Sequence, residues 1–507
     1  MQNKSIYLKL SLFATGFSGI VAEYLLATLA SYFLGNSIIQ WTMVLSTMLF
    51  AMGVGSRISK LITKNLLANF IYAELALSLL VGLSGLIIFS SSSVNFDRMA
   101  VYVVSFLIGL LIGVEIPLVT RINEMHQSLR VNISSVLEND YYGSLLGGVF
   151  FAVVAIPIIG ITYTPYVLAA VNFSVALLLF FKLRKTINNS IRIMVLQMLV
   201  GLILVFGCIY AKPIELYSEQ ANYIDKVVYQ EQTNYQRIVI TKMKNDYWLY
   251  INNNQQLSTV DEYLYHEPMV HAAVVAQGKP QNVLVLGGGD GCAVRELLKY
   301  DFIKAIDLVD LDPSMTKLGQ EHEVFVALNK NALNNSKVSI QNEDAHQFLA
   351  ETNKIYDLII IDLPDPKSVE LAHLYSKEMY RLCWLHLTAN GVVITQAGSP
   401  YFATKAFYCV LKTMKSAGFG SIPLHNQIVT MGEWGWILGH KSLNQDQVLN
   451  RIQNSSPGVD VKWLNKSAFK QITEFGKPLA DTTNLPINTF KKPILYQLYL
   501  NGTWELY

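Results

Sequence analysis

Asp362 and Asp365 close the segment Tyr356–Pro366, YDLIIIDLPDP, in which an unbroken apolar run ends on two carboxylates set between prolines. A run this apolar marks a strand covered on both faces of a parallel sheet. Ligands of such sheets bind beyond the carboxyl ends of the strands. Pro364 and Pro366 fix the backbone of the turn and aim both side chains into one cleft. Three chemistries are open to carboxylates placed like this. Metal ligation is disfavoured, because no histidine cluster accompanies them. A solvated Asx turn is the plain alternative. The third is recognition of a cation. An amine with a pKa of about 10 arrives protonated at neutral pH and must lose that proton before it can attack, and Asp362 is placed to accept it.

Other strand ends carry polar signatures of the same kind. LGGGDG, Leu286 to Gly291, is a tight turn in which Gly287 and Gly289 let the backbone approach a ligand and a helix N-terminus follows. Such turns serve dinucleotides, S-adenosyl compounds or mere close packing. Asp310 ends the next strand about 20 residues on, where an acidic side chain binds ribose hydroxyls or caps the helix of PSMTKLGQ. Asp344 ends a third strand and either accepts from an adenine amino group or caps a helix. Together these residues describe an adenosine cradle with no basic residue for a phosphate, which favours an S-adenosyl compound over NAD.

The elements that must position these groups follow from the patterning. Between Tyr229 and Leu257, short alternating runs such as YQRIVITKM and DYWLYINNNQQL predict hairpins with NNN as a turn. Beyond them, NVLVLGGGDGCAVRELLKY, AIDLVDLDPSMTKLGQ, VSIQNEDAHQFLAE, YDLIIIDLPDP and GVVITQA alternate strand with helix, which predicts a parallel, doubly covered sheet.

The N-terminal two fifths is of another kind. The 507-residue chain is 52% hydrophobic and 15% charged, and the excess lies in seven apolar runs of roughly 20 residues, the length that crosses a bilayer. They cover about 8 to 32, 37 to 55, 68 to 90, 99 to 122, 141 to 160, 163 to 182 and 193 to 211. The first lacks a small-residue cleavage site and is expected to stay as an anchor. The expected organisation is a transmembrane domain over 1–212, a small β-sheet unit over 213–270, a Rossmann-like domain over 271–440 and a C-terminal extension over 441–507 packing on it. Cys208, Cys292, Cys383 and Cys409 have no paired spacing, so neither zinc nor a disulfide framework is indicated. A net charge of +2 gives no nucleic-acid signal.

NYQRIVI, LYINNNQQLSTVDEYLYHEPMVH, VLVLGGGDGCAVREL, DLVDLDPSM, NEDAHQFL, DLIIIDLPDP and LYSKEMYRLCWLHLTANGVVITQAGSP occur in this order from about Tyr229 to His440. The set resembles the spermidine synthase family of polyamine aminopropyltransferases. The resemblance implies a small β-sheet unit before a Rossmann-like domain that resembles S-adenosylmethionine methyltransferases. It also implies transfer of an aminopropyl group from decarboxylated S-adenosylmethionine, a co-substrate, to putrescine or a related amine, with release of methylthioadenosine and without a cofactor or metal. By motif match Asp362 takes the position of the proton-accepting aspartate. Tyr265, His266, Asp290 and Asp365 take polyamine-side positions. Gln236, Asp310, Asp344 and Ala345 take positions that hold the thioadenosine.

Two departures bear on the acceptor. KSVELAHLY follows DLPDP, with Val369 where the family has a proline of its gate loop, and Val429 stands where the family's amine pocket has a tyrosine. A wider pocket with relaxed amine selectivity is expected. A methyltransferase on the same sheet is the alternative, against which Asp290 would repel the carboxylate of a donor that retained it. A non-catalytic membrane sensor or transporter of polyamines is a third reading, motivated by the spans and by Glu23, Glu74 and Glu115 inside them.

The N-terminal region resembles the multi-pass extension of some bacterial homologues through GNSIIQWTMVLSTMLFAMGVGSR and VLENDYYGSLLGG. Glycines of GVGS and GSLLGG are expected to serve close helix packing. Lys4, Lys9, Arg57, Lys60, Lys64, Arg121, Arg130, Lys182, Arg184, Lys185 and Arg192 fall at alternate loops. Positive-inside reasoning then places the N-terminus in the cytoplasm of a cell-membrane protein; seven spans put the soluble part on the other side, and a count differing by one would put it in the cytoplasm, so the side stays open. Expected partners are the amine, the lipid bilayer and, for a homodimer, a second copy of the chain.

Overall fold

The computed structural model describes residues 2–34, 37–92, 96–124, 129–184, 187, 190–233, 235–476 and 484–504. Gly35, Asn36, Lys185 and Asn234, which figure in the motifs and charge pattern above, lie outside the described residues. The chain divides into two compact units, Met1–Ile224 and Asp225–Tyr507.

The first unit is helical: α1 (Gln2–Leu34), α2 (Ser37–Ile58), α3 (Leu66–Ser92), α4 (Asp97–Glu124), α5 (Leu129–Phe150), α6 (Gly160–Leu183) and α7 (Ser190–Ala221). Among the described residues, six helical segments are long and apolar enough to cross a membrane, and the fifth, Arg130–Leu183, is 54 residues long. As one rod it would reach about 80 Å, more than twice the hydrocarbon thickness of a bilayer. It is not one rod. A π-helical stretch, Phe151–Ile159, carries Pro157, and Gly160 adopts φ 79, a value open to glycine at no steric cost.

Packing shows that the chain reverses there. A Cβ on Gly143 would lie 2.0 Å from the carbonyl oxygen of Phe13, and one on Gly147 would lie 2.6 Å from that of Phe17, so α5 runs parallel to α1. The Lys182 ammonium lies 5.7 Å from the Tyr7 ring, so α6 runs back along α1. Thr15 reaches Glu74 and Tyr32 meets Phe89, which makes α3 parallel to α1. Gly82 against Leu204 and Ser218 bonded to the Phe89 carbonyl make α7 parallel to α3. Tyr102 bonds Gln40, while Arg121 bonds the carbonyls of Ser59 and Ile62. The helices α2 and α4 therefore run together and opposite to α3. All seven alternate in direction, and the basic loops share one end of the unit. The expected boundary at 212 falls inside α7, which passes Pro213 and continues to Ala221.

Glu74 and Glu115 are fully buried in this unit, whereas Glu23 is half-buried. Thr15 Oγ1 donates to Glu74 Oε1 at 3.2 Å.

The second unit begins with an antiparallel sheet of β1 (Lys226–Gln232), β2 (Arg237–Met243), β3 (Asp246–Ile251) and β4 (Asn254–Ser258), paired in chain order. Asn252 and Asn253 turn β3 into β4 with φ 49 and 63, the left-handed conformation that asparagine tolerates in two-residue hairpins. The helix α8 (Tyr263–Gln277) crosses the expected boundary at 270 and leads into the larger sheet.

That sheet is built from β5 (Asn282–Gly287), α9 (Cys292–Leu297), β6 (Ala305–Val309), α10 (Pro313–Glu321), α11 (Glu323–Leu328), β7 (Val338–Gln341) and α12 (Ala345–Glu351). It continues with β8 (Tyr356–Asp362), α13 (Val369–His373), α14 (Lys377–Leu385), β9 (Leu387–Gly398), α15 (Thr404–Ser416), β10 (Gly420–Ile428) and β11 (Gly432–His440). Beyond it lie α16 (Gln445–Gln453), α17 (Lys466–Gln471) and α18 (Leu495–Leu500). The strand order is β10-β11-β9-β8-β5-β6-β7. The strands β5 to β9 are parallel, and β10 and β11 close one edge antiparallel.

Alternation along the strands divides two cores. Val283, Val285, Leu358 and Ile360 face α8, α9, α16 and α17. Leu284, Leu286, Ile359 and Ile361 face α12, α14, α15 and α18. Both faces are covered, which is why these strands read as continuous apolar runs. The C-terminal extension thus contributes to both cores.

Candidate active site

Register brings the chemistry to one edge. Gly287 pairs with Asp362 across β5 and β8, Leu286 with Val309 across β5 and β6, and Val309 with Gln341 across β6 and β7. The residues that follow these strands therefore share the carboxyl edge of the sheet. Gly287 has φ 80, and a Cβ there would lie 2.1 Å from the Asp362 carbonyl oxygen. Only glycine lets the turn sit this close to the main chain of Asp362. Gly288 N–H donates to that same carbonyl at 3.2 Å.

Asp362 ends β8 with a side chain 13% exposed. Tyr265 Oη on α8 donates to its Oδ1 at 2.7 Å. His266 Nε2 lies 3.9 Å from Asp362 Oδ2 and 3.9 Å from Asp290 Oδ1. Asp290 Oδ1 also accepts from the Cys292 N–H at 2.8 Å, which fixes it at the start of α9. Burial pushes the Asp362 pKa up to about 6, and Asp290 adds to the effect while His266 and the Tyr265 hydroxyl oppose it.

Burial would depress the His266 imidazolium, but its hydrogen bond to Glu262 and the charges of Asp290, Glu262 and Asp362 outweigh this and raise its pKa to about 9. His266 Nδ1 is held by the Glu262 carbonyl at 2.9 Å and its carboxylate at 3.0 Å, and Glu262 is clamped in turn by Arg295 at 2.8 Å. Ligand atoms of His266, Asp290 and Asp362 lie within 4.8 Å of one another. The charges of the two carboxylates favour the imidazolium form of His266 between them.

Beside the glycine turn, Asp310 Oδ2 accepts from the Gly289 N–H at 3.1 Å and Oδ1 from the Asp312 N–H at 3.0 Å. Burial pushes the Asp310 pKa up to about 6 against those two backbone hydrogen bonds. The helix cap that is the alternative reading of Asp310 is made by Asp312, which accepts from the Ser314 N–H. Gln236 is half-buried in the turn before β2. Thr233 accepts its N–H and donates to Asp312 Oδ2 at 2.8 Å, which ties that turn to the loop after β6. Asp344 takes the capping role open to it, accepting the Gln347 N–H at 2.9 Å, and Ala345 begins α12 buried. Both follow the edge strand β7, two strands from β5.

Val429 is 76% exposed in the turn between β10 and β11. Val369 opens α13, capped by Ser368, and α13 occupies the segment after DLPDP. Asp365 is held by residues that the sequence reading did not single out. Gln396 Nε2 donates to Oδ1 at 3.3 Å, Tyr499 Oη donates to Oδ2 at 2.7 Å, and Lys367 Nζ lies 3.8 Å from Oδ2. Tyr375 Oη donates to the Leu363 and Pro364 carbonyls at 3.0 Å and supports the turn itself.

Asp290, Asp310 and Asp362 thus gather around the glycine turn at the carboxyl edge of the sheet, and comparison with known proteins gives the family. The Spermine/spermidine synthase domain profile matches residues 262–450. Polyamine aminopropyltransferase 2 of Aquifex aeolicus is 40% identical over 98% of both chains. Polyamine aminopropyltransferases of Leptospira interrogans and Oceanobacillus iheyensis are 36% and 35% identical over 92% and 96% of this chain, and of their own chains. The chain belongs to the polyamine aminopropyltransferase family. A crystal structure of spermidine synthase in complex with the transition state analogue AdoDATO has a TM-score of 0.45 and 21% identity, covering 50% of this chain and 86% of that one.

Proposed function

We propose that this protein is an integral membrane polyamine aminopropyltransferase with Asp362 as its general base. The observation that carries the reading is the Asp362 carboxylate at the end of β8, hydrogen-bonded by Tyr265 and facing His266 and Asp290 beside the glycine turn. A protonated amine delivers one proton to Asp362. The freed nitrogen lone pair attacks the propyl carbon next to the sulfonium of decarboxylated S-adenosylmethionine. The C–N bond forms as the C–S bond breaks, its electron pair stays on sulfur, and methylthioadenosine leaves as a neutral thioether. Positive charge thus moves from sulfur to nitrogen. Asp362 is neutral once it holds the proton, so the fixed negative field that stabilises such a shift comes from the neighbouring carboxylates Asp290 and Asp365. Asp310 and the Gly289 turn are the nucleoside side of the same cleft.

The test is product identity. Purified protein given decarboxylated S-adenosylmethionine and putrescine, cadaverine or spermidine should release methylthioadenosine in step with the lengthened amine. Formation of S-adenosylhomocysteine from the carboxylated donor, with no methylthioadenosine, would establish methyl transfer instead.

The first unit is read as seven spans, supported by the alternating helix directions and the break at Gly160. Lys60, Lys64, Arg130 and Arg184 lie at the end opposite the exit of α7, and positive-inside reasoning puts that basic end in the cytoplasm. The catalytic unit then follows the seventh span on the other side. A C-terminal alkaline phosphatase fusion should be active and a green fluorescent protein fusion dark, and the reverse pair would overturn this orientation.

A further inference from the structure

We propose that the C-terminal helix α18 is part of the acceptor site and that Tyr499 is a specificity-determining residue acting through Asp365. The inference rests on the reading of Asp365 as a polyamine-side carboxylate. Tyr499 lies beyond the matched family domain, which ends at 450, yet its hydroxyl donates a 2.7 Å hydrogen bond to Asp365 Oδ2, shorter than the 3.3 Å bond from Gln396.

Its position is built by several elements. The ring is 2% exposed and packs on Trp504 with centroids 4.7 Å apart, while Trp504 Nε1 donates to the Tyr499 carbonyl at 2.7 Å. Gly398, at φ 72 where β9 ends, leaves room for it, since a Cβ there would lie 3.1 Å from the ring edge. The Gly398 N–H in turn binds Gln396 Oε1 at 2.9 Å, and Gln396 is the second donor to Asp365. The segment before α18 is anchored through Asn488, which accepts the Leu495 N–H and donates to the Ala372 carbonyl at 2.6 Å. Lys367 completes the surround, with its ammonium 5.7 Å from the Tyr499 ring and 3.8 Å from Asp365.

This arrangement brings a tyrosine hydroxyl from α18 to Asp365, while the turn between β10 and β11 carries Val429. A donor of fixed direction on Oδ2 determines which way the remaining lone pairs of Asp365 face the cleft. That orientation matters to an amine with a second, distal ammonium. It matters little to a monoamine that engages only Asp362.

The experiment compares kcat/KM for putrescine and for n-butylamine, an amine of the same length without the distal nitrogen, in wild type and Tyr499→Phe. Loss of a hydrogen bond to a carboxylate corresponds to roughly 10- to 100-fold. The putrescine to butylamine ratio should therefore fall by about tenfold or more, mainly through the KM for putrescine, with the donor KM unchanged. In an Asp365→Asn background the same substitution should leave the ratio unmoved. An equal loss for both amines, or an effect that persists in the Asp365→Asn background, would show a structural role only and overturn the proposal. Should Tyr499→Phe lose its fold, Trp504→Phe, which retains the native hydroxyl while loosening its support, should lower the ratio in the same direction, and an unchanged ratio would again overturn it. Failure of the wild type to release methylthioadenosine with any amine would instead refute the reaction proposed above.

Discussion

Removing the charge of His266 gives the sharpest test of how the base is tuned. His266 Nε2 lies 3.9 Å from Asp362 Oδ2, and at an effective dielectric of about 20 a charge at that distance is worth about 4 kcal/mol, or about 3 in pKa. Asp362 is 13% exposed, so solvent and the replacing side chain recover part of this, and about 1 to 1.5 is the realistic remainder. Asp362 accepts the amine proton only when ionised, with a wild-type pKa of about 6. In His266→Gln that value rises, and the acid limb of kcat/KM moves up to about 7 to 7.5. The ionised fraction at pH 6.5 drops about fivefold, whereas at pH 8.5 it hardly changes. The assay is initial-rate release of methylthioadenosine from pH 5.5 to 9, and the diagnostic quantity is the rate at pH 6.5 relative to pH 8.5. A uniformly lower profile with its acid limb still near 6 would refute the electrostatic role given to His266.

Two further outcomes follow from the site. Asp362 has a folded pKa of about 6 against an ordinary 3.8, so its charge costs folding nothing below 3.8, an increasing amount between the two, and up to about 3 kcal/mol above 6. Asp362→Asn should therefore raise the melting temperature of the detergent-solubilised protein at pH 7.5 and give no gain at pH 4, and an equal change at both values would contradict this sign. Gly289→Ala places a Cβ 2.8 Å from Asp310 Oδ2. It should raise the donor KM about tenfold or more while leaving the KM for the amine in place, as read by calorimetric binding of methylthioadenosine and by steady-state kinetics.

The parts of the fold that could be read from the sequence are those with a local cause. The strands β5, β6 and β8 are buried on both faces and so appear as unbroken apolar runs. Asn252 and Asn253 announce their turn because few other residues take positive φ. Asp362 could be found because its position depends only on strand length and the following prolines. Tyr499 could not. Its contact with Asp365 joins residues far apart in the chain, across a space left by Gly398, and nothing in the local pattern of LYQLYL sets that tyrosine apart from Tyr496. The choice for Asp344 between cap and ligand was open in the sequence because one carboxylate at a helix start can serve both, and the bond from the Gln347 N–H to Oδ1 leaves Oδ2 for a ligand. In the first unit, seven apolar runs were legible by length. The π-helical stretch that carries α5 toward α6 was not, because Pro157 and Gly160 sit within an apolar sequence that reads equally well as two spans.

The central claim is that Asp362 takes the amine proton, and single-turnover chemistry tests it most directly. Wild type and Asp362→Asn, each saturated with decarboxylated S-adenosylmethionine and putrescine at pH 8, should differ in the rate of methylthioadenosine formation by a factor on the order of 10² or more. The variant should bind methylthioadenosine as wild type does, because Asp310 and the Gly289 turn are untouched. An Asp362→Asn protein that forms methylthioadenosine at the wild-type rate would contradict the account.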